Sequence, residues 1–184
     1  ETNPDITLEI IGGGDFLEEA RHYVKMRGFA DRVFIRGQQP HDEVMKALQR
    51  SEIFLQHSVV GSDGNTEGLP TAIQEAMACG LAILSTRHAG IPEAVMEGDN
   101  GLLVDEFDVD SYRCALRQML SYEVNIERMM NRSRQIAVER FDKSKLLKKT
   151  EALILELVHK RDFGPGRDNL LDLISGRNES KSGC

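Results

Sequence analysis

Short, almost uninterrupted apolar runs alternate along this chain with longer segments in which apolar residues recur every three or four positions. ITLEII (6–11), RVFIRG (32–37), IFLQHS (53–58), LAILST (81–86) and GLLV (101–104) have the length of strands. Most lack a strict apolar-polar alternation, which suits parallel strands covered on both faces. Between them, FLEEARHYVKMRG (16–28), HDEVMKALQRS (41–51), TAIQEAMAC (71–79) and IPEAVMEG (91–98) carry helical spacing. This repetition predicts an α/β fold, a Rossmann-like doubly wound parallel sheet with right-handed crossovers. After Val104 the pattern is helical only, in DVDSYRCALRQMLSY, VNIERMMNRSRQIAVERF and KSKLLKKTEALILELVHK. One domain over residues 1–160 is expected, ending in these helices. Residues 161–184, with GPG and the polar end SGRNESKSGC, are expected to form a loosely ordered tail.

In an open parallel sheet, ligands bind beyond the carboxyl ends of the strands, where loops enter helix N-termini. The glycine-rich and polar stretches of this chain fall there. Gly12, Gly13 and Gly14 follow the first strand, Gly37 and Gln38 the second, His57 to Gly68 the third, and Thr86 to Gly90 the fourth. Gly12 and Gly14 supply a Gly-x-Gly, but Leu17 stands where a dinucleotide fingerprint needs its third glycine. The next strand ends in Arg36-Gly37, with no acidic residue for a ribose, so a nicotinamide enzyme is a weak alternative. The three glycines are then either a simple turn into the next helix or a surface for ligand contact.

The stretch NTEGLPTAIQEAMACG (65–80) places Glu67 and Glu75 at the two ends of a helix entrance. Thr71 and Gln74 fit a capping box, Pro70 precedes it, and Gly80 marks the stop. Ala72, Ile73, Ala76 and Met77 are expected to form the stripe against the sheet. Amides around Thr71 and Ala72 can meet a phosphate, helped by the helix dipole. Glu75, one turn in, can accept both hydrogens of a vicinal diol such as a ribose. Glu67, before the helix, can hold hydroxyls of a second sugar. Each glutamate alone reads as a solvated charge; the capped helix, Gly68 and the strand-end location together favour one ligand with ribose, diphosphate and sugar in that order.

Composition narrows the partners. The 184 residues are 40% hydrophobic, enough for one core, and no apolar run reaches the length of a membrane span. The net charge of −7 disfavours nucleic acid. Three cysteines cannot frame a disulfide scaffold, and Cys79 and Cys114 lie in helical patterns where a thiol packs as a small hydrophobe. A reducing, cytoplasmic setting follows. The five histidines lack ligand spacing, so neither metal nor cofactor is expected. The chain opens with ETNPD rather than Met, which suggests a piece of something longer without a secretory signal. The lysine-rich RFDKSKLLKK is a solvated face, or a contact for a membrane surface or a partner.

These residues resemble the E-x7-E signature of retaining glycosyltransferases of the GT-B fold, family GT4, carried here by Glu67 to Glu75. Four further blocks agree in order: Ile10 to Gly14, Val33 to Gly37, Gly90 to Glu93, and Asn100 to Val104. The GIPE and DGNTEGLP forms look most like bacterial exopolysaccharide transferases. The resemblance implies a donor domain that takes a UDP- or GDP-linked sugar without a metal, for retaining transfer of a hexose to a hydroxyl. By it, Glu67 contacts the sugar as the catalytic residue and Glu75 the ribose. Main chain at Gly68, Leu69, Pro70, Thr71 and Ala72 holds sugar and diphosphate, the Gly12–Gly14 turn adjoins them, and Gly37 and Gln38 border the base. An Arg and Lys after the domain's first strand, and an N-terminal acceptor domain, have no counterpart in this sequence. Pro70 stands where many members carry glycine, and His57-Ser58 where many carry proline and serine. The fragment is therefore expected to lack turnover. The intact enzyme is expected in the cytoplasm, with peripheral association at the inner face of the membrane. A non-catalytic binding module and a sugar-nucleotide epimerase of related architecture are the competing readings.

Overall fold

The computed structural model describes residues 6–61, 64, 66–121 and 124–160. The chain divides into two compact units, the first ending at Gln135 and the second beginning at Ile136. The expected tail, 161–184, lies outside the described residues.

In the first unit strands and helices alternate: β1 (Leu8–Ile11), α1 (Leu17–Met26), β2 (Val33–Gly37), α2 (His41–Gln49), β3 (Ile53–Leu55), α3 (Thr71–Cys79), β4 (Ala82–Thr86), α4 (Ile91–Ala94), β5 (Gly101–Val104) and α5 (Val109–Met119). All pairings are parallel, β1 with β2 and β3-β4-β5 in order. The strand backbone pairs in two groups, and among the described residues β1 and β3 each keep one edge without a strand partner.

The triplet holds the core. Ala82 and Leu84 of β4, Leu102 and Val104 of β5, and Ala115 and Met119 of α5 form one buried cluster with Met129. Side chains alternate across a strand, so Ile83 faces the other way, where Ile73 and Met77 of α3 are fully buried. Helices thus cover both faces of β4, as its unbroken apolar run predicts. At Gly101 a Cβ would collide with the Ile83 carbonyl oxygen and with Val95, so only glycine lets β5 close on β4. Asn100, fully buried before it, accepts from the Met96 amide (2.7 Å) and donates to the Ala94 carbonyl (3.3 Å), pinning the turn from α4 into β5.

Helix α6 (Ile126–Arg140) begins in the first unit, and α7 (Lys143–Lys160) lies in the second. The Asp142 carboxylate accepts from the Lys145 amide (2.9 Å), capping α7. Leu146, Leu147, Leu153, Ile154 and Leu157 of α7 are exposed.

Three expectations need correction. The capping box does not form: Pro70 is the N-cap of α3, Thr71 is already helical, no side chain caps the helix, and the Gln74 side-chain amide donates to Leu69 O instead. The fixed φ of proline opens the helix one residue early and leaves the Thr71 hydroxyl outside capping position. Ala72 is exposed rather than part of the apolar stripe. Cys114 is exposed on α5, because Ala115 and Met119 occupy the face turned to the sheet.

Candidate functional site

The predicted residues come together through the loops at the carboxyl ends of the strands. The Gly12 amide donates to the Gly37 carbonyl (2.9 Å), so the glycine turn after β1 and the end of β2 are one surface. Gly12 and Gly14 have φ of 150° and 133°, where side chains are strained, and nothing lies within 4 Å of where a Cβ would stand. The turn is therefore glycine-built for backbone shape, with open space before it. Gly37, at φ 69°, is followed by Gln38 and by Gln39, which folds back to donate to the Arg36 carbonyl (2.8 Å). Pro40 then starts α2, whose first residue His41 places Nδ1 at 3.9 Å from Glu75 Oε1. Glu75 thus faces the loop after β2 across the packed pair α2 and α3.

The start of α3 is bare. With Pro70 as N-cap and no side-chain acceptor, the amides of Thr71 and Ala72 point from an exposed helix end. Glu67 and Gly68 are exposed just ahead of it and Leu69 is half-buried. The Gly68 carbonyl accepts from the Gly90 amide (3.1 Å), which ties this loop to the turn after β4. Residues 62, 63 and 65 of the loop lie outside the described residues. The order around α3 is Glu67, free amides, then Glu75 one turn in. One helical turn rises about 5.4 Å, a spacing compatible with one elongated ligand.

Nearby positive charge is already engaged. Arg36 and Arg50 both bind Glu9, at 2.9 and 2.5 Å, and Arg87 binds Glu97 and Asp105. Burial opposes ionisation of Glu9, but the two arginine hydrogen bonds outweigh it and hold the carboxyl below its usual range. Tyr112, on α5, donates to the Leu84 carbonyl (3.1 Å) and has its pKa pushed up to about 12 by burial. It is a structural phenol rather than an acid-base group. Two other concavities, about 500 Å³ beside Asp99 and Arg132 and about 640 Å³ beside Cys79 and Arg134, are lined by none of the predicted site residues. Both are open surface hollows.

Sequence reasoning did not single out His41, which opposes Glu75, or His88 and Glu106, which meet behind the loop after β4. The position of His41 as the first helical residue after a strand-end loop was the available signal. For Glu106 no sequence signal exists, since its partners are 18 and 46 positions away.

Strand-end loops that meet at an uncapped helix lie where ligands bind in parallel α/β domains, and the comparisons supply the family. The chain belongs to the family described as glycosyl transferases group 1, which matches residues 1–136. Among curated proteins it is 31% identical over 146 residues to the putative colanic acid biosynthesis glycosyltransferase WcaL of Salmonella typhimurium, covering 79% of this chain and 36% of that protein. To the amylovoran biosynthesis glycosyltransferase AmsK of Erwinia amylovora it is 33% identical over 117 residues, 64% of this chain and 29% of the relative. This chain therefore spans about a third of the length of the curated relatives it matches. Of solved structures, Anabaena HepE in complex with UDP superposes with a TM-score of 0.70 at 18% identity, covering 84% of this chain and 42% of that one. The C-terminal domain of the group 1 protein LpcC from Francisella tularensis gives 0.64 at 20% identity, over 77% and 73%. At such identities these structures show the fold, that of GT-B glycosyltransferases, which the sequence had led us to expect.

Proposed function

We propose that this chain is the donor-binding part of a retaining hexosyltransferase that uses a nucleotide-diphosphate sugar in polysaccharide or glycoconjugate synthesis. The observation that carries the reading is the bare start of α3, its amides free of side-chain caps and flanked by Glu67 and Glu75. Main-chain groups from Gly68 to Ala72 hold the sugar and diphosphate, with the N–H of Thr71 and Ala72 meeting the phosphates, where the helix dipole favours negative charge. Glu75 accepts the ribose hydroxyls, and Gly37 and Gln38 border the base. Gly12 to Gly14 leave room for the phosphates. Glu67 holds the hydroxyls of the transferred sugar and is the catalytic residue of the set. The UDP in Anabaena HepE supports a uridine or similar donor for this site, and relatives named as GDP-mannose-dependent mannosyltransferases keep guanosine in the comparison.

The reading also takes residues 1–160 as a domain one strand short. A doubly wound sheet has the order 3-2-1-4-5-6. The observed β2-β1 and β3-β4-β5 fit positions 3-2 and 4-5-6, with position 1 unfilled. We assign that strand, the acceptor domain and the diphosphate-neutralising cations to polypeptide outside these residues. Charge stabilisation of a departing diphosphate needs cations aimed at it, and Arg36, Arg50 and Arg87 are each held by carboxylates. The isolated chain then binds nucleotide weakly and turns nothing over. The exposed leucines of α7 are offered to the acceptor domain, and contact of the intact enzyme with the cytoplasmic membrane face is peripheral. No helix among the described residues is long and apolar enough to cross a membrane.

Calorimetric titration with UDP, GDP and ADP tests the site. Heat with one of them, abolished by Glu75→Gln, is the expected result; no heat with any, from folded protein, removes the donor reading. Glu67→Gln should leave the bare nucleotide unaffected and weaken only the sugar-bearing form.

A further inference from the structure

The connection from β3 to α3, which carries Glu67, is held at its leading flank from the ends of β4 and β5 and at its trailing flank by the turn after β4. On the leading flank, the Thr86 hydroxyl donates to the Ser58 carbonyl, and the Val60 amide donates to Glu106 Oε2 at 2.8 Å. On the trailing flank, the Gly90 amide donates to the Gly68 carbonyl at 3.1 Å. A Cβ on Gly90 would press on Gly68 O at 3.4 Å and on Leu69 at 3.5 Å, so the two segments are in close contact there. At the centre of the turn stands His88, 2% exposed, with Nδ1 at 2.7 Å from Glu106 Oε1. Ala89 beside it has φ of 44°, a conformation that non-glycine residues adopt only under constraint.

The imidazole needs an explanation. His88 Nε2 is buried with no hydrogen-bond partner, a desolvation cost that a phenyl ring of similar shape would not incur. What the imidazole provides and a phenyl ring would not is the bond to Glu106. Hydrogen bonds from His88 and from the Val60 amide hold the Glu106 carboxyl below its usual range. An ionised carboxylate only accepts, so Nδ1 carries the proton and donates. Glu106 follows β5 by two residues, which makes the carboxylate a fixed bridge between the end of the core strands and the Val60 amide.

We propose that His88 is a positioning residue for Glu67: its Nδ1–H orients Glu106, Glu106 holds Val60, and with the Gly90–Gly68 bond the β4 turn thereby sets where Glu67 stands. The consequence for donor binding rests on the function proposed above. The clamp itself does not.

The experiment uses the whole 184-residue chain and two substitutions. His88→Phe keeps the volume and removes the donor; His88→Asn places an amide N–H near the Nδ1 position. Amide hydrogen exchange is followed at Val60 and Gly90, the two main-chain donors that hold the flanks, alongside titration with UDP and UDP-glucose. His88→Phe is expected to speed exchange at both amides by about 10-fold or more, as local opening becomes easier. His88→Asn should restore most of the protection. UDP affinity should be unchanged by His88→Phe, while any advantage of UDP-glucose over UDP disappears. Unchanged exchange in His88→Phe, loosening confined to Val60, or an Asn variant as loose as the Phe one would each overturn the clamp. If His88→Phe does not fold, Glu106→Ala breaks the same link from a less buried position. It must then speed exchange at Gly90, and failure to do so overturns the proposal too. Should neither UDP nor UDP-glucose bind the wild type, the donor assignment is what fails, and exchange alone still decides the clamp.

Discussion

The β1–β2 pair and the β3–β4–β5 triplet are read from similarly apolar runs, yet they are buried very differently. Every residue of β4 and β5 is buried. In β1, burial alternates between exposed and half-buried; Leu8 is 37% and Ile10 41% exposed, and α1 contributes no buried residue. Hydrophobicity of the strand does not explain the difference. Helix cover does: α5 packs on both β4 and β5 and α3 on β4, whereas β1 packs mainly against β2. The pair is held instead by charge, with Glu9 of β1 gripping Arg36 of β2 and Arg50 at the end of α2. One half of the sheet is stabilised by packing, the other by an ion cluster on a strand short of partners.

The comparison can be broken from the packed side first. Leu84→Ala should destabilise the chain by about 2–5 kcal/mol in urea unfolding, as for other large-to-small core changes. Asn100→Ala should cost about 1–3 kcal/mol, because the half-buried Met96 amide and the buried Ala94 carbonyl lose their partner. A chain in which Leu84→Ala is nearly neutral has no such core. On the charged side the readout is acid. Glu9 has its folded pKa below the ordinary 4.5, so its contribution is complete above that value and is lost as pH falls through the lower folded one. The stability gap between wild type and Glu9→Gln should therefore be present at neutral pH and close in acid; a gap that widens in acid contradicts the cluster. The smallest effect belongs to Ile10→Ser, expected within about 0.5 kcal/mol as for exposed positions. A large loss there would mean β1 is covered after all.

The sequence carried the architecture well where the period was long and the packing local. GLLV and KSKLLKKTEALILELVHK coincide with β5 and α7 to the residue, while α3 opens at Thr71, one residue ahead of its expected start. IFLQHS shrinks to the three residues of β3, since Gln56 to Ser58 already turn into the connection, Gln56 donating from its side chain to Ser58. IPEAVMEG shortens to the four residues of α4 because Asn100 captures the Met96 amide and ends the helix. Of the site, the glycine turn and Gly37 were legible as strand-end loops, and the structure joins them by a hydrogen bond. The start of α3 was legible in place but not in chemistry: Thr-x-x-Gln matches a capping box by spacing, and only the backbone angle set by Pro70 decides that it goes unused. His88 with Glu106 was not legible at all, since nothing local in either segment signals a partner so far along the chain.

Pro70 has one more effect. A helix that begins at proline keeps its first donors unspent, which leaves the apo domain with hydrogen-bonding capacity that solvent alone must satisfy. An anion seated there should raise the thermal midpoint in proportion to the logarithm of its concentration, by mass action, even in a fragment that performs no chemistry. Exchanging Pro70 for serine would let the chain cap itself, so the unliganded domain would gain stability and the ligand would lose its reward.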